Sequence, residues 1–157
     1  MKLFSSIKIF LTALILVALV SCVSKPEKKI DSAYIMVYGN TDSGIMDAVI
    51  YMDDTVLGTT DIYGRFSFYA NEKDIDIHTI RIEKDGYESI SITTAINPGQ
   101  LLYFRMYDGA YYAELAEKEL DEGNINKAKE LIEHALTIEE RKDYQYLKKI
   151  ISQRYEK

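Results

Sequence analysis

Three hydrophobic patterns follow one another along the chain. Apolar side chains crowd together from Ile9 to Val20, alternate with polar ones from Ala33 to Tyr107, and recur every three or four residues beyond Tyr107. The middle pattern has period two and is rich in β-branched and aromatic residues, which predicts strands. Its candidates are Ala33–Tyr38, Ala48–Met52, Val56–Thr59, Arg65–Tyr69, His78–Glu83, Ser89–Thr94 and Leu101–Tyr107. His78, Ile80 and Ile82 share one face, and Phe66 and Phe68 alternate with Ser67 and Tyr69. Seven short strands with one apolar face each cannot bury it singly, so they predict a two-layer antiparallel sandwich. Gly39-Asn40, Asp85-Gly86 and Asn97-Pro98-Gly99 supply turns.

Beyond the strands, Tyr112, Leu115, Ala116 and Leu120 form one helical stripe. Ala128, Leu131, Ile132, Ala135 and Leu136 form a second, and Gly123-Asn124 between them suits a helix end followed by a new start. A third segment carries Tyr144, Leu147, Ile151 and Tyr155. The stretch from Asn126 to Tyr155 either runs on as one helix or breaks near Arg141 to Asp143. The predicted class is α+β: a seven-stranded antiparallel sandwich (33–107) followed by a C-terminal helical hairpin of two or three helices (108–157).

The first pattern has a different meaning. Lys2 and Lys8 precede the apolar run, which is short for a bilayer span and matches an export signal. Leu19-Val20-Ser21-Cys22 at its end resembles the bacterial lipoprotein signal. The resemblance implies cleavage between Ser21 and Cys22, acylation of Cys22 with chains such as palmitate, and retention in the cell envelope through the lipid bilayer. Val23 and Ser24 supply no aspartate signal for the inner membrane, which points to the outer one where a bacterium has two. The alternative is an ordinary secretory peptide with an incidental cysteine. Residues 1–21 are then the signal peptide and 22–32, broken by Pro26, a tether.

Composition narrows the possibilities. Cys22 is the one cysteine of 157 residues, so no internal disulfide can form. No acid precedes Cys22, so the remainder carries 17 bases against 25 acids, a formal charge near −8. That sign argues against nucleic acid as a partner and against attraction to anionic lipid.

Within the strand region, Asp47 to Tyr51, Thr60-Asp61-Ile62-Tyr63-Gly64-Arg65-Phe66, and Lys84-Asp85-Gly86-Tyr87 resemble the carboxypeptidase regulatory-like (transthyretin-like) family. Leu57-Gly58-Thr59-Thr60 is similar to the turn of the related PEGA domain. The loop Asn71 to Asp76 departs from the shorter Gly-containing turn usual there. The resemblance implies a non-catalytic sandwich in which Asp61, Gly64, Gly86 and Tyr87 are structural turn residues. Tyr112, Leu115, Ala116, Gly123, Ile125, Ala128, Ile132 and Ala135 resemble a single tetratricopeptide repeat, with Glu140 where that family often has proline. One such unit must cover its stripe against the sandwich, the third segment or another molecule. Tyr111, Tyr112, Ile132 and Tyr144 are the docking candidates in the last case.

Catalytic constellations are not evident in the sequence. His78 reads as a core residue and His134 as a solvated flank, and two isolated histidines do not make a zinc site. Asp53-Asp54 and Asp74-x-Asp76 could together gather calcium, although solvated turns are the default. Tyrosines Tyr103, Tyr107, Tyr111 and Tyr112 cluster in sequence where sheet gives way to helix, as interface anchors or hinge filler. The expected role is a non-catalytic protein-binding or scaffolding lipoprotein with no cofactor. The alternatives are peptidoglycan binding and an accessory domain for an enzyme.

Overall fold

In the computed structural model, described over residues 31–70 and 77–155, the seven strands form two sheets. The strands are β1 (Ser32–Tyr38), β2 (Val49–Met52), β3 (Thr55–Thr59), β4 (Arg65–Tyr69), β5 (Ile77–Glu83), β6 (Ile90–Ala95) and β7 (Leu101–Arg105). The first sheet has the order β4-β1-β7 and the second β3-β2-β5-β6. Cys22, the cleavage site, most of the tether and the Asn71–Asp76 loop lie outside the described residues.

The second sheet is antiparallel throughout, but the first is mixed: β1 pairs antiparallel with β4 and parallel with β7. This corrects the purely antiparallel expectation. Neighbouring strands joined by a tight turn must run antiparallel, whereas β1 and β7 are joined through the whole rest of the sandwich and no turn dictates their direction. β7 also ends two residues early. Met106 leaves the ladder and is fully buried, with its N–H on the Tyr38 carbonyl at 2.8 Å.

Alternation in β1 sends Ala33, Ile35 and Val37 inward, where they meet Ile50, Ile80, Ile82 and Phe104. Each fully buried isoleucine contributes on the order of 2 kcal/mol of transfer free energy. Asp53 and Asp54 form the two-residue β2–β3 loop with φ of 47° and 63°, the left-handed pair such a hairpin requires. Asn97-Pro98-Gly99-Gln100 turns with φ of 77° at Gly99 and the Gln100 N–H on the Asn97 carbonyl.

Three helices follow: α1 (Gly109–Asp121), α2 (Ile125–Ile138) and α3 (Lys142–Tyr155). Asp108 caps α1 by accepting from the Tyr111 N–H at 2.8 Å. Gly123, at φ 84°, ends it: its N–H meets the Leu120 carbonyl and the Asn124 N–H meets the Glu119 carbonyl. That is the six-to-one and five-to-two pattern of a Schellman stop. The chain does break between α2 and α3, with Glu139 extended and Arg141 reaching forward to Asp143.

The helices pack on one another rather than across either sheet, with Ala113, Ala116, Leu120, Ala128, Ile132, Ala135, Tyr144, Leu147 and Ile151 as their core. The stripe of the hairpin is therefore covered by the third helix. Ile132 is fully buried and Tyr144 is 4% exposed, so neither offers surface to a partner. Among the described residues no helix is long and apolar enough to cross a membrane.

Candidate functional site

The sandwich meets the helices at the turn Lys84–Glu88. Gly86, at φ 80°, lets the Tyr87 N–H reach the Lys84 carbonyl, and Tyr87 forms an isolated bridge with Asp108. One residue on, the Glu88 N–H donates to the Tyr107 carbonyl at 2.8 Å. The Glu88 carboxylate is shared by the two helices: the Tyr112 hydroxyl donates to Oε2 at 2.5 Å, and His134 Nε2 lies 3.3 Å from Oε1. Burial of the Tyr112 ring, reinforced by the carboxylate it donates to, pushes its hydroxyl pKa well above the usual phenol range. Tyr107 stacks on Tyr111 at 4.4 Å, and Tyr112 meets the His134 ring edge-on at 4.4 Å. Three of the four junction tyrosines thus fill the hinge, and His134 is a clamp residue rather than a free flank.

Beside this hinge opens a cleft of about 860 Å³ between the second sheet and the C-terminal end of α2. Val49, Tyr51, Tyr87 and Ile138 are its apolar lining, and Asp47, Glu83, Asp85, Glu88, Glu139 and Glu140 line it against Lys84 and the His134 that faces Glu88. Glu83 is engaged by Arg81, whose guanidinium also lies 3.9 Å over the Tyr51 ring. The carbonyl end of α2 adds further negative potential. A concavity of this charge suits a cationic group and repels an anionic one.

Of the four turn residues of the family resemblance, Gly86 and Tyr87 line this cleft, whereas Asp61 and Gly64 sit elsewhere. Asp61 Oδ1 accepts from the Tyr63 and Arg65 N–H groups at 2.9 Å each, which together with the Arg65 side chain holds its carboxyl below the usual range. Gly64 has φ 73°, and a Cβ there would lie 2.1 Å from the Val37 carbonyl oxygen. Both serve the turn that leads into β4 beside its neighbour β1, and neither lines the acidic cleft.

His78 is not a core residue. Its Nδ1 lies 2.5 Å from Asp53 Oδ2, and Asp53 also accepts from the Thr79 N–H. The imidazole contact, then the backbone bond, lowers the Asp53 pKa. Asp54 faces Arg81 at 3.7 Å. The first half of the calcium candidate is thus committed to neighbours, and Asp74 and Asp76 lie outside the described residues. Among the described residues no three His, Cys, Asp or Glu side chains converge as metal ligands.

A second surface was not anticipated. The solvent side of the first sheet presents Tyr34, Met36, Tyr38, Tyr69, Leu101 and Tyr103, and Tyr103 is 64% exposed. Tyr103 therefore belongs to this face, not to the hinge. The signal was present in β1, whose two faces are both apolar: Ala33, Ile35 and Val37 on one, Tyr34, Met36 and Tyr38 on the other.

The described chain is thus an α+β protein, a seven-stranded sandwich with a three-helix appendage. No family model matches it, and no curated protein does. Over 51% of its length it is similar to the Bacillus anthracis TIE protein, at 17% identity and TM-score 0.41, covering 17% of that chain. Over 50% it is similar to a C-terminal interface mutant of the type II cohesin-X-dockerin complex from Acetivibrio cellulolyticus, at 14% identity and TM-score 0.41, covering 58% of that chain. The chain spans less than two thirds of either.

Proposed function

We propose that this is a bacterial cell-envelope lipoprotein: a non-catalytic module, anchored through acylated Cys22, whose transthyretin-like or PEGA-like sandwich and tetratricopeptide-like hairpin together hold a basic segment of another envelope protein. The acidic cleft at the sandwich–helix junction carries the reading. It is the place where two elements with separate cores create a concavity neither has alone, and its carboxylates give it a preference by charge. The apolar lining, Val49 and Ile138 with Tyr51 and Tyr87, supplies contact area among the charges.

Glu139 and Glu140 stand on the rim at the end of α2, away from both cores, and among the described residues their side chains meet only the exposed Arg141 and Gln145, so reversing them changes charge and leaves the buried packing in place. Affinity capture from envelope extract with the soluble domain tests the idea. A partner held by the wild type should be lost with Glu139→Lys/Glu140→Lys and weakened by added salt. Capture unchanged by both treatments contradicts the reading. Retention on purified peptidoglycan, insensitive to the charge reversal, would assign the domain to cell-wall glycan instead.

A further inference from the structure

The two outer faces of the sandwich differ in chemistry. On the second sheet the outward positions mix apolar and charged groups: Val49 pairs with Glu83 and Tyr51 with Arg81, Thr79 with Thr93 and Arg81 with Ser91, and Val56 and Ile77 are exposed singly. On the first sheet the outward positions of β1, β4 and β7 carry Tyr34, Met36, Tyr38, Tyr69, Leu101 and Tyr103, interspersed with Ser32, Ser67, Arg65 and Arg105. No carboxylate occupies an outward position of these three strands, in a chain with 25 acids. The two arginines are engaged by Asp61 and Asp42 at the end of the sheet far from Ser32. The face is thus aromatic, close to neutral, and not covered by the helices, whose core is separate.

Its position in the chain says what covers it. β1 is the central strand of this sheet and begins at Ser32, beside Tyr69 of β4 and two residues before the Tyr34–Leu101 pair. Asp31 lies nine residues on from Cys22. At about 3.3–3.6 Å per residue, covalent geometry keeps Asp31 within roughly 30 Å of the cysteine whatever path the chain takes. A lipid on Cys22 therefore holds this end of this sheet within a tether length of the bilayer. Tyrosine rings with an apolar body and a polar tip are the side chains that settle at the boundary between headgroups and acyl chains.

We propose that the Tyr34–Tyr69–Leu101–Tyr103 face rests on the headgroup region of the membrane that anchors the protein. The inference depends on acylation of Cys22 and extends it: the anchor localises the domain, and the face orients it. Val49, Tyr51 and Glu83 lie on the outward side of the second sheet, so the acidic cleft then opens away from the membrane. The negative charge of the rest of the domain opposes adsorption to anionic lipid, so contact comes from the aromatic face on a tethered molecule and not from free association.

The chain contains no tryptophan, which makes a single introduced indole a clean reporter. The full-length acylated protein is purified from membranes and reconstituted in phosphatidylcholine vesicles, with Tyr103→Trp, Tyr69→Trp or the control Tyr146→Trp, a site on α3 that is 68% exposed. Flotation with the vesicles reads the anchor, and quenching by brominated phosphatidylcholine reads the face. The expected result is flotation of all three, with quenching at positions 103 and 69 at least about twofold stronger than at 146. Flotation with equal or negligible quenching at all three positions overturns the membrane-facing surface and leaves the anchor intact. Absence of flotation overturns the anchor, and the orientation falls with it. Flotation with quenching at 103 and 69 abolished by addition of envelope extract would also overturn it, by showing that a protein displaces lipid from the face.

Discussion

The hydroxyl of Tyr112, on the first helix, donates to the carboxylate of Glu88, in the turn between β5 and β6, at 2.5 Å. The sandwich and the helices have separate cores, so this bond and the neighbouring His134 contact hold one against the other alongside the Tyr87–Asp108 bridge and the Glu88 N–H bond to the Tyr107 carbonyl. Tyr112→Phe keeps the ring packing and removes only the donor. A part-exposed hydrogen bond to a charged group is worth about 1 kcal/mol, and denaturant unfolding should show a loss of that size.

The same pair sets an alkaline limit. The Tyr112 pKa is raised by folding, so its contribution to stability is fully present below the unfolded tyrosine value of about 10 and is lost as pH rises toward the folded value. Melting temperature should fall above about pH 10 in the wild type, and fall less steeply in Tyr112→Phe. Parallel curves for the two proteins would show that the hydroxyl is not the titrating group.

Acid behaves in the opposite sense. Asp61 and Asp53 have folded pKa values below their ordinary ones, the first through backbone N–H groups and Arg65, the second through His78 and the Thr79 N–H. Their contributions are present above the unfolded aspartate value of about 3.9 and disappear as pH drops through the folded values. Asp61→Asn should lower stability at pH 7 and flatten the stability profile below about pH 4. An unchanged slope there would place the acid sensitivity elsewhere.

Gly64→Ala should be among the most damaging single changes. It combines a left-handed φ with a Cβ 2.1 Å from the Val37 carbonyl oxygen, a backbone atom of the central strand that cannot step aside. A loss of at least about 2 kcal/mol is expected by chemical denaturation. Gly86→Ala shares the positive φ but meets nothing within 4 Å, so its cost should stay near about 1 kcal/mol.

Tyr144 carries a different liability. Its hydroxyl is buried without a hydrogen-bond partner among the described residues, in a helical core that is otherwise apolar. Tyr144→Phe should be neutral or stabilising by up to about 1 kcal/mol, measured as the shift in denaturation midpoint.

Much of the fold was legible because its signals are local. Alternation marked Phe66 and Phe68 in β4, helical spacing marked Ala128, Ile132 and Ala135, and Gly123 marked the helix end. What was not legible depends on remote chain segments. The direction of β7 beside β1 has no local determinant, and neither has the clamp that pairs His134 with Glu88, 46 positions apart. His78 read as a core residue because Ile80 and Ile82 share its face, yet it sits at the strand end where the Asp53 turn supplies a partner. The acidic cleft was hidden for the same reason, since Asp47, Glu88 and Glu140 meet only when the two cores are set side by side.

Everything about where the cleft and the aromatic face act depends on lipid bonded to Cys22. Metabolic labelling with radioactive palmitate, comparing the full-length protein with Cys22→Ala, tests it most directly. The account predicts label in the wild type and none in the variant, whereas an unlabelled wild-type protein, or label that survives the substitution, would contradict it.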